Sequence, residues 1–495
     1  MKVLAQIATR HDGVESESTG RAVDSAISSA RTAQIAWASQ PLRERLETIR
    51  RARSTIALEW MSLAQSANDL RDRPIAEILT SEILPLGDAC RFLERKAEKI
   101  LRSTRLGARG RPLWLAGVDT EIRREPYGVV LVIGTSNYPL FLPGVQALQA
   151  LAAGNAVLIK PGRGGAAAAT AFAEILLRAG LPRDLLHVLS ESAADAQHAI
   201  LCGVDKVFFT GNATTGETIL AQCAETITPA TVELSGCDAM FVRENADLDL
   251  VVRAIQFGLR LNNGATCIAP RRVFVHHALA AELEAKLRIA PLEQSSMMHP
   301  QLSECVTDAL LSGADLTRGS IELPAPLLSL PIILNSVTPA MRIAREDIFA
   351  PVLSLITVAD DDEALRLSAQ CPYSLGATIF SADERSARMM AAKVRAGSVI
   401  INDLIVPTAD PRVPFGGRDR SGFGTTRGAE GLLEMTVAKV VSLRRRKSHR
   451  HFETAQPGDA EMFAAYIQAA HGSGLQQRLR GLGQLLRTMM KRSRK

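Results

Sequence analysis

The sequence predicts an α/β protein of more than one domain, in which helices cover both faces of a parallel sheet. The chain has 495 residues, more than one hydrophobic core usually organises. Between residues 129 and 234, short β-rich runs alternate with Ala- and Leu-rich segments long enough for helices. The hydrophobic share of 46% and the charged share of 22% are those of a globular protein, and no run of about 18 apolar residues predicts a membrane span.

The N-terminal part is predicted to be helical. Residues 21–107 place Ala, Leu, Arg and Glu at helical spacing and contain few strand formers. Residues 114–128 alternate around a Gly-Val-Asp turn, which predicts a β-hairpin.

Five short runs then predict the strands of the parallel sheet. Such sheets bind nucleotides at the carboxyl ends of their strands. The usual GxGxxG fingerprint is missing, so the motif alone does not support a standard Rossmann site. The runs are VVLVIG (129–134), AVLIKP (156–161), HVLS (187–190), KVFFTG (206–211) and ATVEL (230–234).

A second α/β segment is predicted over residues 239–424. It contains a helix at 248–262, a strand at 271–275 and the Gly-rich sequence PFGGRDRSGFG at 414–424. Residues 436–446 predict a further strand that ends in a charge run.

Charge and cysteine usage exclude several classes of protein. The net charge of +6 is confined to residues 462–495, which carry seven Lys or Arg and no acid. Without a nucleic-acid-binding motif, this basic tail does not predict nucleic-acid binding. The seven cysteines are scattered and form no paired spacing, so neither a disulfide framework nor a metal site is predicted. A reducing cytoplasm is therefore expected, and the start of the chain has too short an apolar stretch for a secretory signal.

Three side chains are candidates for chemistry, and each has a structural alternative. Cys267 lies in a small-residue loop between a predicted helix and strand, where a thiol can meet an electrophile, or it is an inert buried cysteine. Glu233 ends an apolar strand, where burial would raise the pKa of a base, or it caps that strand. Asn137 follows a buried strand and can donate to an oxyanion, or it only forms a turn.

Taken in order along residues 20–445, these motifs resemble those of the aldehyde dehydrogenase superfamily. The interval of 34 residues from Glu233 to Cys267 is the one typical of that family. The motifs that carry the resemblance are NYP (137–139), IKP (159–161), FTGNATTG (209–216), ELSG (233–236), GATC (264–267), REDIFAPV (345–352), and PFGG (414–417) with SGFG (421–424).

The resemblance implies an NAD(P)-dependent oxidation of an aldehyde to a carboxylic acid through a thioester. By that resemblance Cys267 is the nucleophile, Asn137 and the Cys267 backbone N–H hold the oxyanion, and Glu233 activates water. NAD or NADP is the implied cofactor, and no metal is expected. The implied cofactor-binding residues are Thr135, Ser136, Lys160, Arg163, Gly211, Asn212, Gly216, Leu234, Asp347 and Phe349.

Several positions depart from the family pattern. Arg163 replaces the acid that normally follows the ribose lysine Lys160 by three residues. A guanidinium suits a 2′-phosphate, so NADP is expected to be accepted, unless Arg163 points into solvent. Asp347 stands where Glu is usual, and Ala350 where Gly is usual. Ser136 replaces an aromatic residue and would widen the substrate mouth, and the span from Cys267 to Asp347 is 80 residues, shorter than usual.

The resemblance also implies a domain plan and a homodimer or homotetramer. The cofactor domain with its helical arm is predicted at 1–113 and 129–235, and the catalytic domain at 236–430. Residues 114–128 and 431–446 are predicted to form an oligomerisation sheet, and 447–495 a basic extension.

The C-terminal tail predicts a basic amphipathic helix. Apolar residues recur at intervals of three and four from Leu475 to Met490, with basic residues on the other face. Such a helix can lie on an anionic membrane, which would favour an apolar aldehyde. Alternatively, the tail is disordered, or it packs on a neighbouring subunit, and Gly481 and Gly483 lower its helix propensity.

Two other functions stay open at this point. A coenzyme A-acylating reductase is disfavoured by the retained Glu233, because acyl transfer to a thiol does not need that base. The departures at Ser136, Asp347 and Ala350 leave room for a catalytically silent binding or scaffold protein on the same fold.

Overall fold

The structure is a computed structural model that describes residues 2–68, 72–322, 327–445 and 449–492. Contact clustering divides the chain into two units. Unit 1 comprises residues 1–103 and 123–439, and unit 2 comprises residues 104–122 and 440–495.

Helices form most of the N-terminal arm and most of the C-terminal segment. The helices are α1 (Lys2–Ser39), α2 (Leu42–Leu58), α3 (Trp60–Ser66), α4 (Ile75–Ile78), α5 (Leu84–Leu101), α6 (Phe141–Ala153), α7 (Ala166–Arg178), α8 (Ala193–Leu201), α9 (Ala213–Thr226), α10 (Leu248–Arg260), α11 (His277–Ile289), α12 (Pro300–Leu311), α13 (Asp361–Ser368), α14 (Glu384–Ala391), α15 (Gly428–Leu433), α16 (Asp459–His471) and α17 (Leu475–Arg492).

Among the described residues, the strands are short and form four sheets. The strands are β1 (Thr104–Leu106), β2 (Val118–Pro126), β3 (Val129–Ile133), β4 (Ala156–Lys160), β5 (Leu186–Val188), β6 (Lys206–Gly211), β7 (Ala230–Leu234), β8 (Asp238–Val242), β9 (Pro270–His276), β10 (Ser295–Met298), β11 (Asp315–Glu322), β12 (Leu327–Asn335), β13 (Val352–Val358), β14 (Tyr373–Ser374), β15 (Gly376–Phe380), β16 (Ser398–Ile401), β17 (Arg418–Asp419), β18 (Gly422–Phe423) and β19 (Thr436–Arg444).

The first large sheet of unit 1 has the strand order β18-β7-β6-β3-β4-β5. Strands β3 to β7 are the five runs predicted from the sequence, and they pair in parallel. Strand β3 is a continuous buried run of Val, Leu and Ile, as expected for a central strand with helices on both faces. Because β4 and β6 flank β3, the chain reverses its direction of winding at β3, and ligands bind in the crevice that such a reversal opens.

The second large sheet runs β10-β12-β13-β9-β8-β15-β16, with β11 paired to β12. Its central strands pair in parallel, and two apolar cores cover its two faces. The predicted helix at 248–262 is α10, whose first turn is capped by the Asp247 carboxylate. The loop that carries Cys267 joins this helix to the central strand β9.

The predicted hairpin at residues 114–128 is wrong. Residues Leu113–Leu115 form one 3₁₀ turn, and β2 is a single strand that pairs with β1 and β19 rather than with a second strand of its own segment. The three-stranded sheet therefore includes β1. This strand lies within residues 21–107, which the sequence pattern predicted to be helical. The predicted strand at 436–446 is β19 as far as Arg444, and residue 446 lies outside the described residues.

Within unit 2, α16 and α17 form a helical hairpin. A Cβ atom at Gly481 would lie 2.5 Å from the Ala469 nitrogen and 2.9 Å from the Ala465 carbonyl oxygen. Gly481 therefore allows the two helices to approach closely, and its cost in helix propensity is offset by this packing. Residues 493–495 of the predicted amphipathic helix lie outside the described residues. None of the described helices combines the length and the apolar character needed to cross a bilayer.

Candidate active site

Asn137 lies just beyond the carboxyl end of β3, at the winding reversal. Its side chain is buried, and its Nδ2 donates to the Ala265 carbonyl oxygen at 2.8 Å. Its Oδ1 accepts from the Thr135 hydroxyl at 2.5 Å and from the Tyr138 N–H at 3.1 Å. These bonds fix the amide orientation, so that one of its two N–H hydrogens is directed to the loop before Cys267.

The Cys267 loop is held against the Asn137 loop by two further hydrogen bonds. Asn262 Nδ2 donates to the Asn137 carbonyl oxygen at 2.7 Å, and the Tyr138 and Thr266 hydroxyls lie 2.6 Å apart. Two loops that are about 125 residues apart in sequence therefore form one rigid group.

The turn before Cys267 requires unusual backbone conformations. Asn262 and Asn263 have φ values of 49° and 51°, and Gly264 has φ 68°. A Cβ atom on Gly264 would lie 2.6 Å from the Pro351 nitrogen, so only glycine fits there. The turn leaves the Cys267 side chain partly exposed, whereas Ala265 and Thr266 are buried.

Glu233 is buried near the carboxyl end of β7 and is 2% exposed. Its Oε2 accepts from the Thr426 hydroxyl at 2.8 Å, whereas its Oε1 has no hydrogen-bond partner within the described residues. Burial raises the pKa of Glu233 above its ordinary value of 4.5, and Arg427 and the Thr426 hydroxyl partly oppose this shift. The raised pKa and the free oxygen both suit a group that takes a proton from water.

The C-terminal Gly-rich motif pairs with β7, the strand that carries Glu233. Strand β18 pairs antiparallel with β7, so that Gly422 lies opposite Glu233. Gly422 has φ 92°, and a Cβ atom there would lie 2.0 Å from the Val232 carbonyl oxygen. Glycine at this position therefore lets the final loop pair with the strand that carries the carboxylate.

Arg427 is a buried cation beside the site that sequence reasoning missed. Its Nη1 donates to the Thr408 carbonyl oxygen at 2.6 Å, its guanidinium lies 4.2 Å from the Phe415 ring centre, and its Nε has no partner within the described residues. Burial, Glu233 and Asp238 raise the pKa of the Cys267 thiol, whereas Arg427 lowers it. The positive charge therefore favours the ionised form of both Cys267 and Glu233. Its only sequence signal is a basic residue three positions after the SGFG motif.

Asp347 replaces the usual, longer Glu and lies in the loop before β13. Its Oδ2 accepts from the Ser235 hydroxyl in a short hydrogen bond, and its Oδ1 is buried without a partner among the described residues. Burial raises the pKa of Asp347 to about 6 against the opposing effects of Ser235 and Arg271. The unpartnered oxygen is able to accept a hydrogen bond, so the shorter side chain can still serve as an acceptor. Phe349 and Ser136 are both partly exposed.

At the carboxyl end of β4, Lys160 is partly buried and Arg163 is exposed. Burial lowers the pKa of Lys160, and the nearby Glu191 partly opposes this shift. The Glu191 carboxylate accepts from the backbone N–H groups of Gly164 and Ala166 at 2.9 and 3.0 Å. Sequence reasoning missed this acid because it follows β5 and is distant in sequence from Lys160.

The N-terminus of α9 follows β6 at the same sheet edge. Asn212 caps this helix by accepting from the Thr215 N–H at 2.8 Å, and Gly211 ends the strand. A Cβ atom on Gly216 would lie 2.6 Å from the Leu234 side chain, so glycine lets the helix pack closely on β7. A helix N-terminus at this position suits the phosphates of a dinucleotide.

Comparison with known proteins agrees with this geometry. The aldehyde dehydrogenase family model matches residues 14–441. Geranial dehydrogenase of Castellaniella defragrans is 31% identical over 441 residues, which are 85% of this chain and 90% of that protein. A provisionally named succinate-semialdehyde dehydrogenase (NADP(+)) of Mycolicibacterium smegmatis is 31% identical over 449 residues, which are 86% of this chain and 85% of that protein.

A solved structure shows the same architecture. The NAD+ complex of an aldehyde dehydrogenase from Bacillus cereus superposes with a TM-score of 0.78 at 26% identity, covering 86% of this chain and 90% of that one. Fold and site define an oxidoreductase that acts on aldehydes. The chain belongs to the aldehyde dehydrogenase family.

These findings confirm the predicted fold class, the family and the oxidation of an aldehyde. The prediction that the cofactor is NAD or NADP is confirmed, without a choice between the two. The relatives include an enzyme named for NADP and an NAD+ complex. The roles of individual residues and the domain plan stay predictions.

Proposed function

We propose that this enzyme oxidises an aldehyde to a carboxylic acid through a thioester on Cys267, with NAD or NADP as the hydride acceptor. One observation carries the proposal: the Asn137 amide is hydrogen-bonded into the Cys267 loop, and the buried Glu233 carboxylate is close enough for its charge to act on the thiol. These contacts support a site in which a thiol, an amide donor and a base act together.

In the first half of the reaction, Cys267 gives up its proton to solvent and the thiolate sulfur bonds to the aldehyde carbon. The aldehyde oxygen becomes an oxyanion, which accepts hydrogen bonds from the second N–H of the Asn137 amide and from the Cys267 backbone N–H. Donors held in place in this way contribute roughly 2.7–4 kcal/mol each to transition-state stabilisation. When bound, the nicotinamide ring accepts the hydride that leaves the same carbon, so that the aldehyde is oxidised to the thioester.

In the second half, Glu233 removes a proton from water, and the water oxygen attacks the thioester carbonyl. The carbon–sulfur bond breaks, the carboxylic acid leaves and the Cys267 thiolate is restored. A carboxylate with a raised pKa is suited to this step because it holds the proton more strongly than an exposed one. The free Oε1 provides the accepting atom.

The residues around the sheet edge fit a dinucleotide. Lys160 and the adjacent loop supply donors for one ribose, and the N-terminus of α9 supplies backbone donors for the phosphates. The unpartnered Oδ1 of Asp347 supplies an acceptor for the other ribose.

The thioester can be trapped by slowing its hydrolysis. We expect Glu233→Gln to release about one reduced nicotinamide per site in a burst and then to turn over slowly, with an acyl adduct visible by intact-protein mass spectrometry. The double variant Glu233→Gln/Cys267→Ala is the control and should show neither burst nor adduct. A burst without an adduct, or an adduct on another residue, would overturn the proposal.

The two rival functions give different outcomes. A coenzyme A-acylating enzyme would form an acyl-thioester product only when coenzyme A is added, whereas we expect the free acid with and without it. A silent scaffold protein would give no reduced nicotinamide with any aldehyde.

We further propose that NADP is accepted. Arg163 is exposed beside Lys160, where its guanidinium is free to bind a 2′-phosphate, although Glu191 adds negative charge nearby. The ratio of kcat/KM for NADP to that for NAD should fall in Arg163→Glu and stay unchanged in Arg183→Glu, an exposed arginine before β5. An unchanged ratio in Arg163→Glu removes the claim.

We propose an apolar aldehyde as the substrate class. Ser136, beside Asn137, has a small side chain where the family usually has an aromatic one, so we expect a wide mouth to the site. The named relatives include one for geranial and one for succinate semialdehyde, so a panel containing both aldehydes discriminates. A higher kcat/KM for succinate semialdehyde would contradict the proposal.

The tail supports a peripheral membrane contact. Along α17, Leu475, Leu479, Leu482, Leu486 and Met489 are each about half exposed or more, and Arg480 and Arg487 are exposed as well. An exposed apolar face with nearby basic charge suits an anionic lipid surface. Flotation with phosphatidylserine vesicles should recover the full chain but not a form lacking residues 472–495, and neither form with neutral vesicles. Equal behaviour of the two forms would remove the claim.

An exposed sheet edge supports a homodimer or homotetramer. Strand β19 is an edge strand, and its Val440, Val441 and Leu443 are exposed. An apolar edge of this kind is suited to pairing with a second copy. Light scattering should give a dimer or tetramer for the parent and a smaller species for Val440→Lys.

A cytoplasmic location stays a prediction from the seven free cysteines.

A further inference from the structure

Three side chains outside the active site bring together atoms that commonly bind metals. Asp24 Oδ1 lies 3.0 Å from His198 Nε2 and 3.0 Å from Cys202 Sγ, and the sulfur lies 3.3 Å from the same histidine nitrogen. Within the part of the chain that the structure describes, this is the one group of three or more His, Cys, Asp or Glu residues whose ligand atoms lie within 4.8 Å of each other.

The fold positions the three ligands from two helices. His198 lies in α8 and Cys202 follows at the helix end, so the i, i+4 spacing places both side chains on one face. Asp24 lies on α1, which packs against α8. A Cβ atom on Gly20, one turn before Asp24, would lie 3.4 Å from the His198 ring, so the ring rests closely against α1 and is held in place.

A second contact fixes α1 beside the same segment. Arg31 donates to the Asp205 carboxylate at 2.9 Å and to the Gly203 carbonyl oxygen at 2.8 Å, just beyond the end of α8. The three ligand atoms therefore keep their arrangement without a metal, which lowers the entropic cost of binding one.

The donor set is a sulfur, an imidazole nitrogen and a carboxylate oxygen. This combination suits zinc, which prefers four-coordinate sites of Cys, His and Asp, and it does not suit magnesium or calcium, which prefer oxygen ligands. The His198 and Asp24 side chains are 39% and 55% exposed, so the remaining coordination position faces solvent.

We propose that Asp24, His198 and Cys202 bind one zinc ion, with water as the fourth ligand. The sulfur gives up its proton to solvent when it coordinates the ion, the imidazole binds through Nε2, and the carboxylate through one oxygen. The bound ion links α1 to α8 and so ties the N-terminal arm to the cofactor-binding part of unit 1. This site is separate from Cys267 and does not depend on the proposed reaction.

The test uses cobalt as a coloured substitute for zinc, in a Cys267→Ala background so that the active-site thiol cannot contribute. The parent should bind one cobalt ion per chain, with an absorbance band from thiolate-to-cobalt charge transfer, and zinc should abolish the band by displacing the cobalt. Cys202→Ser should lose the band. His198→Gln and Asp24→Asn should each weaken zinc binding at least tenfold, as measured by competition with a chromophoric chelator.

His277→Gln, an exposed histidine on α11, is the matched control and should bind as the parent does. Circular dichroism of each variant without metal establishes that it is folded. A missing charge-transfer band in the folded parent, a band that survives Cys202→Ser, or equal zinc affinity in His198→Gln would overturn the proposal. The three residues would then form a hydrogen-bonded cluster only.

Discussion

The candidate active site around Cys267, Glu233 and Arg427, called the reaction centre below, differs from the C-terminal hairpin of α16 and α17. Arginine and leucine are buried in the first region and exposed in the second. In the reaction centre, Arg427 is 6% exposed and stacks on Phe415, whereas Arg480 on α17 is exposed to solvent. The leucines in the strands of the first sheet are buried, whereas Leu475 on α17 is 75% exposed. A single substitution in the reaction centre should therefore disturb several coupled groups, whereas most substitutions in the hairpin should disturb none. The family match ends at residue 441, before the hairpin begins.

The largest effect is expected from Cys267→Ala. In the proposed mechanism no thioester forms without the sulfur, so kcat/KM should fall by more than about 1,000-fold while cofactor binding is kept. Reduced-nicotinamide absorbance measures the rate, and cofactor fluorescence titration measures the binding. Cys90→Ala, in α5, serves as the control and should keep the parent rate. Residual activity above a few per cent would mean that another nucleophile acts.

Arg427→Gln should change the pH dependence as well as the rate. The guanidinium lowers the pKa of both Cys267 and Glu233, so its removal raises both. Because the thiolate and the carboxylate are the active forms in the proposed mechanism, the rising limb of kcat/KM should move to higher pH. Activity at pH 7 should be roughly tenfold lower and be partly regained in more alkaline buffer.

Arg427→Lys separates charge from packing. It keeps the positive charge and should return the pH profile close to that of the parent. A uniform loss of rate with an unmoved profile in Arg427→Gln would assign this residue a packing role alone.

A smaller effect is expected from Thr426→Val. The change removes the hydroxyl that donates to Glu233 Oε2 and keeps the side-chain volume, so the pKa of Glu233 should rise further. The hydrolysis step should slow a few-fold below that pKa and recover above it, with the burst unchanged. Single-turnover and steady-state rates across pH measure the two steps, and a slower burst would contradict this assignment.

The smallest effect on activity is expected from Gly481→Leu. The added side chain cannot fit against Ala465 and Ala469, so α17 should detach from α16. Hydrogen exchange should increase in both helices, while kcat/KM for a water-soluble aldehyde stays within twofold of the parent. Gly483→Leu is the matched control, because a Cβ atom there meets nothing within 4 Å. A tenfold loss of activity in Gly481→Leu would end the contrast between the two regions.

Local patterns in the sequence were sufficient to predict much of the fold. The five parallel strands of the first sheet, helix α10 and strand β9 follow from runs of apolar residues whose period depends only on near neighbours. The order and spacing of short motifs were sufficient to identify the family. They also identified Cys267, Glu233 and Asn137 as candidate catalytic residues. The amphipathic pattern of α17 was visible in the same way.

Only the tertiary structure decided the contacts between distant segments. The partner of β2 is β1 rather than a neighbouring hairpin strand, because strand pairing depends on which edges meet in space. Arg427 and Glu191 reach the site from loops that no motif marked, and Gly481 proved to be a packing position. Asp24 and Cys202 are 178 residues apart, so no spacing rule could join them. Electrostatic and coordination effects act through space over a few ångströms, and the sequence records only distance along the chain.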